Sequence, residues 1–500
     1  MSIPRSDFFW HLTLTGIVLV LIWTPSRFLT QDGPSHLYTA KIFRGLSTDL
    51  HLQDCYQKAT PPPPNSLTTW LGALLSPVFG NVITEKIWAT VYVLLVAGGG
   101  GYLASVMDCA SSSLGIYLFL LNPFLFAGFW NFNLAVGIFL LGLGTTIRAL
   151  QRPSPARSLF LLVLGGSLYF THLFVFAAYL LVSLILLLAK GKDRAGKWRR
   201  SATVLFYSLV FLLSAVGAVI IWHNMRSFQA SGDQIGLPRL LAQWARNSVA
   251  EMDVWYRYGE QWILTVLQAA VLVAVLWRIS RGEIPRRYAA VLAAFLLFFF
   301  FAPDQLGVAM AIKARLWLLA VILAALWLPS RWNTWIGALC ALLLCWHLWH
   351  ILPLQLRWNR QLDPLLEASR KLERDQVQAS LMGIYWGRAS LKPGIYPFVH
   401  IDQLVAAESN GISLSSNQIL SSAFPVRYLD SCKSSAWQMA HLFEREVSSP
   451  EVIINAVAAS PVRYVVIEKA GTLPWPDLIR RWRVIVETAD FALVDVRPRT

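Results

Sequence analysis

The feature that most constrains this chain is a succession of apolar runs separated by short loops rich in arginine and lysine. A helix needs roughly 17–25 mostly apolar residues to cross a bilayer. Runs that meet or approach this length cover residues 8–23, 84–107, 112–128, 131–149, 158–171, 173–189, 202–222, 261–278, 288–302, 311–328 and 334–352. They predict an α-helical polytopic membrane protein with about eleven transmembrane helices. Composition agrees: 14% of the residues are charged, against about 25% in soluble domains. The 22 tryptophans suit membrane–water interfaces.

The formal charge is +15, and its distribution decides what it means. From Pro353 onward 17 basic residues face 15 acidic ones, so this part carries +2 and the remainder +13. The excess lies in loops: Arg148, Arg152 and Arg157; Lys190, Lys192, Arg194, Lys197, Arg199 and Arg200; Arg278, Arg281, Arg286 and Arg287; and Arg331. Clusters of this kind between apolar runs follow the positive-inside rule, and no nucleic-acid partner is expected. With these loops inside, residues 158–189 must cross twice, as two helices meeting near His172. The loops 24–83 and 223–260 then face outward, with an interfacial helix expected at 240–250. The first apolar run follows Arg5 and lacks a small-residue cleavage site, so it reads as a retained helix. The expected location is a bacterial inner membrane, with the N-terminus cytoplasmic.

Residues 1–352 read as the membrane domain and 353–500 as an extracytoplasmic α/β domain. In the latter, 362–377 has helical spacing, while Arg463-Tyr464-Val465-Val466-Ile467-Glu468, residues 483–487 and 491–496 look like strands. The five cysteines form no metal pattern. Cys55 and Cys432 both fall outside, which leaves a disulfide open.

No P-loop, G-x-S-x-G, H-E-x-x-H or G-x-G-x-x-G motif is present. The four glycines at 98–101 sit in an apolar run and suggest close helix packing rather than phosphate binding. The informative stretch is Gln31-Asp32-Gly33-Pro34-Ser35-His36-Leu37-Tyr38, directly after the first helix. Asp32 can be read as a helix N-cap in an Asp-Gly-Pro turn, or as an acid at the membrane surface. Four prolines at 61–64 then lead into the apolar stretch 65–80, which ends in Phe79-Gly80 and is expected on the membrane surface.

This order of features resembles the GT-C superfamily of membrane glycosyltransferases, and most of all the protein O-mannosyltransferases and the lipid A aminoarabinose transferase. The matching residues are Asp32, then Pro63-Pro64 through Trp70 to Phe79-Gly80, with Val462–Val466 as a strand common in such outer domains. The specific likeness covers about fifty residues. It implies transfer of a sugar from a polyprenyl-phosphate donor to an acceptor hydroxyl on a glycan, lipid or protein, with Asp32 catalytic and inversion at the anomeric carbon. The family motif has a second acid where this chain has Gly33. Asp32 and His36 alone make a poor hard-cation site, so no metal and no other cofactor is expected.

His36 lies four residues after Asp32 and can orient it, contact substrate or simply pack. Tyr38 belongs to the same motif and is a substrate-binding candidate. His172 interrupts an apolar run, as a substrate contact or as a buried, hydrogen-bonded histidine. Lys313 and Arg315 open the tenth helix, either as phosphate ligands or as snorkelling cations; Asp304 is a potential partner for them. Two other functions fit the composition. A transporter would place ionisable or helix-breaking residues at mid-membrane, where these helices carry almost no charge. A non-catalytic envelope-assembly subunit would use the outer domain for binding alone.

Overall fold

A computed structural model describes residues 5–107, 109, 111–189, 261–301, 311–375, 380–384, 398–409, 411–414, 416–420, 424–430, 432–433, 450–458, 460, 462–469 and 481–496. The expected helices at 202–222 and 240–250, the basic loop 190–200 and Asp304 lie outside these residues. The chain divides into two compact units, one of residues 1–20, 90–123 and 131–349, the other of 21–89, 124–130 and 350–500. Residues 24–83, expected as an outward loop, thus group with the C-terminal part.

The first unit is helical. It holds α1 (Arg5–Trp23) up to Val20 and the later half of α4 (Leu67–Val106). It also contains α5 (Trp130–Gln151), α6 (Pro155–Thr171), α7 (Leu173–Ala189), α8 (Gln261–Ser280), α9 (Arg286–Phe301), α10 (Ile312–Leu326) and the first part of α11 (Asn333–Asp375). Among the described residues, three helical stretches are long and apolar enough to cross a membrane: Leu67–Val106, Trp130–Gln151 and Ser330–Arg370. Large apolar side chains lie exposed along these and shorter helices, among them Leu159, Leu162, Val163, Val273, Leu297, Leu342 and Trp349. In water such exposure would be costly; against lipid it costs nothing. Helices α6 and α7 are separate and meet at His172, whose backbone is extended. Glycines bring α4 and α5 together, since a Cβ on Gly99 would lie 3.0 Å from the Gly137 carbonyl oxygen.

One expected crossing is absent. Residues 112–128 form a 3-10 turn at Gly115–Phe119 and a short helical turn at Pro123–Phe126. Gly115 abuts the backbone of Ala325, and Asn122 turns inward to donate to the Tyr92 hydroxyl at 2.8 Å. Leu114 to Leu121 are apolar because they are buried in protein, not because they face lipid. Hydropathy alone cannot separate these two causes.

The second unit begins with the last turn of α1 and includes α2 (Gly33–Gly45), α3 (Leu50–Cys55) and the first part of α4. Pro34 stands in the first turn of α2, where its missing N–H costs nothing. Helix α4 bends at Gly80, whose φ of 75° only glycine adopts freely. Strand β1 (Tyr56–Lys58) pairs antiparallel with β4 (Val426–Tyr428), and the Cys55–Cys432 disulfide joins the ends of this pair.

The C-terminal sheet has five strands: β2 (Ser380–Ile384), β3 (Ile412–Ser413), β5 (Tyr464–Glu468), β6 (Arg483–Glu487) and β7 (Phe491–Asp495). Their order is β3-β2-β5-β7-β6. Strand β2 runs parallel to β3 and β5, while β7 runs antiparallel to β5 and β6. The register sets Val465 opposite Val494 and Val466 opposite Leu493. A buried strand reads as a continuous apolar run, as Val465-Val466-Ile467 does. Helix α12 (Ile401–Glu408) contributes Ile401, Leu404 and Val405 to this core, and Phe398 meets Phe491 edge-on at 5.0 Å. This packing fixes the start of α12, and with it His400. Helix α11 runs unbroken through Pro353 to Asp375, past the expected end at 352.

Candidate active site

The site in the second unit is built on the turn before α2. The backbone N–H groups of Gln31 and Asp32 donate to the carbonyls of Phe126 (3.1 Å) and Ala127 (2.9 Å). Asp32 takes the N-cap position, yet its carboxylate makes no capping hydrogen bond. The Thr30 hydroxyl accepts from the first N–H of the helix, that of Gly33, at 3.1 Å. The same hydroxyl donates to Glu85 Oε1 at 2.6 Å, and Trp130 Nε1 donates to that oxygen at 3.3 Å.

The Asp32 carboxylate makes its contacts elsewhere. Its Oδ1 lies 3.5 Å from His400 Nε2, and its side chain keeps 19% exposure. The Gln403 amide nitrogen donates to His400 Nδ1 at 3.0 Å, which leaves the imidazole proton on Nε2, facing Asp32. The two residues are 368 positions apart in sequence, brought together by α2 and α12.

His36 stands one turn into α2, 3% exposed, packed against Trp88 and Phe424 with ring centroids 6.5 and 5.8 Å away. Burial drives its pKa down to about 4, opposed by the charge of Asp32 and reinforced by His400. It is therefore neutral, and its Nδ1 is buried without a hydrogen-bond partner. Tyr38 faces a different environment. Its hydroxyl meets the Tyr56 hydroxyl at 2.9 Å and accepts from the Ser413 N–H at 2.7 Å, within a buried tyrosine cluster that includes Tyr428. Burial raises the pKa of all three phenols. Tyr38 thus ties α2 to β3, while Asp32 and His36 share a neighbourhood with His400.

The other candidates form a second cluster in the helical unit. His172 packs edge-on to Phe132 at 5.4 Å, and the Arg315 guanidinium sits 5.5 Å from the centre of the same ring. Lys313 is 1% exposed, so its ammonium does not reach out to solvent as a snorkelling lysine would. Lys313 and Arg315 are two residues apart on α10 and so point in different directions.

Sequence reasoning missed His400, Thr30 and Glu85. Two adjacent charges, Glu85 and Lys86, at the start of an otherwise uncharged apolar run are a signal in themselves. His400 had none, since nothing local marks it. Among the described residues no three His, Cys, Asp or Glu side chains converge in a way that could hold a metal ion. Compared with known proteins, the chain matches no family model and no curated relative.

Proposed function

We propose that this protein is a GT-C-like glycosyltransferase of about ten or eleven membrane helices, acting at the outer face of a bacterial inner membrane. Its donor is a sugar on a polyprenyl phosphate, and its acceptor is a hydroxyl of a glycan, lipid or protein. The observation that carries this reading is the Asp32 carboxylate: it stands at a helix N-terminus, uncommitted to the cap, beside a histidine N–H. An N-cap role would have used the carboxylate.

In the reaction, the acceptor oxygen attacks the anomeric carbon as the bond to the phosphate oxygen breaks. The bonding pair leaves with polyprenyl phosphate, and inversion follows from a single displacement. Asp32 takes the hydroxyl proton, worth about 10²–10⁴-fold. His400 Nε2 lies 3.5 Å from Oδ1 and is assigned to steady that oxygen, leaving Oδ2 to face the acceptor. In the helical unit, Arg315 is the cation assigned to a lipid phosphate, while Lys313, two residues away, points in a different direction. The Cys55–Cys432 disulfide supports an oxidising, extracytoplasmic compartment for the second unit, in line with the basic loops.

The test is to incubate the purified protein in lipid vesicles with a panel of radiolabelled polyprenyl-phosphate-linked sugars. The reading expects one of them to give free polyprenyl phosphate and a labelled glycoside. Intact donors throughout, with label carried across the bilayer, would identify a transporter instead.

A further inference from the structure

Glu85 is a buried acid with no part in the reaction just described. It is 6% exposed, on α4, and its Oε1 accepts from both Thr30 and Trp130. Its placement depends on a glycine: a Cβ on Gly33 would overlap Glu85 Oε1 and Thr30 Oγ1, and would lie 2.6 Å from Glu85 Cδ. A second glycine closes the other side. Gly128 has φ of +70°, and a Cβ there would lie 2.7 Å from the Gly33 nitrogen and overlap Thr30 Oγ1. The backbone around Thr30 is therefore cut away on both sides to admit one carboxylate and one hydroxyl.

The geometry points to Glu85 as a positioning residue that holds Asp32 in place by fixing the Thr30–Gly33 turn that carries it. A threonine hydroxyl has one proton. Bound to Glu85, that proton is spent, and the oxygen's lone pair must serve the Gly33 N–H. Without Glu85, the Thr30 hydroxyl can rotate away, the Gly33 N–H loses its acceptor, and the turn that aims the Asp32 carboxylate loosens. Asp32 would then be held less firmly toward His400 and the acceptor hydroxyl. Glutamine at position 85 retains an acceptor oxygen for Thr30, so hydrogen bonding and not charge is what the position requires. This inference rests on the proposed role of Asp32, but its structural half stands apart from it.

Two experiments test it. In the transfer assay, Glu85→Ala should lower kcat about tenfold or more with KM for the donor within twofold of wild type, and Glu85→Gln should stay within about threefold in both. Thr30→Val should resemble Glu85→Ala and Thr30→Ser the wild type, which keeps the test open if Glu85→Ala does not fold. A rise in KM at constant kcat, wild-type kcat in both Glu85→Ala and Thr30→Val, or Glu85→Gln as damaged as Glu85→Ala would overturn the proposal. The second experiment needs no donor. Gly33→Ala should lower the midpoint of thermal unfolding, and Gly33→Ala combined with Glu85→Ala should lower it by less than the sum of the two single losses, because the carboxylate that clashes is gone while the Thr30 hydroxyl remains. Additive losses would refute the geometry. Coupling in the thermal experiment with no sugar transfer by wild type would instead sink the glycosyltransferase reading and leave the Glu85–Gly33 relation intact.

Discussion

The clusters around Asp32 and Arg315 handle charge in opposite ways. Asp32 keeps a partly exposed carboxylate at the edge of a turn that Thr30 ties to the Gly33 N–H, with one oxygen near His400. Arg315 lies over an aromatic ring that it shares with His172, and its neighbour Lys313 is buried. A proton acceptor must meet its substrate with a free lone pair. A phosphate-binding cation gains from dry, aromatic surroundings that strengthen its field. The contrast suits two different tasks, taking up a proton and holding an anion. It can be broken at either cluster.

The largest expected change among the binding residues is at Arg315. A charge-assisted contact to phosphate is worth roughly 1.5–3 kcal/mol. Arg315→Ala should therefore weaken donor binding about 10–150-fold. Arg315→Lys should be partly defective because it loses the planar fork, and Lys313→Ala milder still. Titration of each variant with a fluorescent polyprenyl-phosphate sugar reads these out. Wild-type affinity in all three would remove the phosphate from this cluster and make His172 the next residue to test.

His400 comes next. Its Nε2 lies 3.5 Å from Asp32 Oδ1 and is proposed to steady that carboxylate, so His400→Ala should cost about tenfold in kcat and little in donor affinity. His400→Gln should restore part of the loss, since its amide also donates. Equal kcat in wild type and both variants would mean that the carboxylate is held by something else.

The smallest effect at neutral pH is at His36. Its folded pKa of about 4 lies below the ordinary 6.5. Between these values the unfolded chain binds a proton that the folded protein refuses, so stability falls as pH drops from 6.5 to 4. The full span is about 3 kcal/mol, an upper figure for one buried group. Chemical unfolding of wild type and His36→Leu at pH 7 and pH 4.5 should show a smaller acid loss in the variant. Parallel losses would place His36 in contact with water or a partner that accepts its charge.

Much of the fold was legible because membrane helices and buried strands write themselves into hydropathy. The pairs 158–171 and 173–189, and the strands around Val465, Val484 and Leu493, are found within a few residues of their expected limits. Residues 112–128 were misread as a crossing because interior packing and lipid contact select the same apolar residues. The candidate site was only half legible. Asp32 and His36 lie in one motif, but His400 enters through the fold of α12, hundreds of residues away. Tyr38 looked like a motif residue from its spacing, and its hydroxyl turns out to lie in the cluster that joins α2 to β3. Gly33 read as a missing acid; in three dimensions it is the space that Glu85 occupies.

The central claim is that the Asp32 carboxylate accepts a proton and does not merely cap α2. Asparagine has the same size and caps a helix about as well, but cannot take the proton. The most direct measurement is therefore the rate of sugar transfer by Asp32→Asn, with its folding confirmed by an unchanged thermal unfolding midpoint. The account predicts a loss of about 10²–10⁴-fold with the protein still folded. Transfer at the wild-type rate would contradict it and return Asp32 to the role of a turn residue.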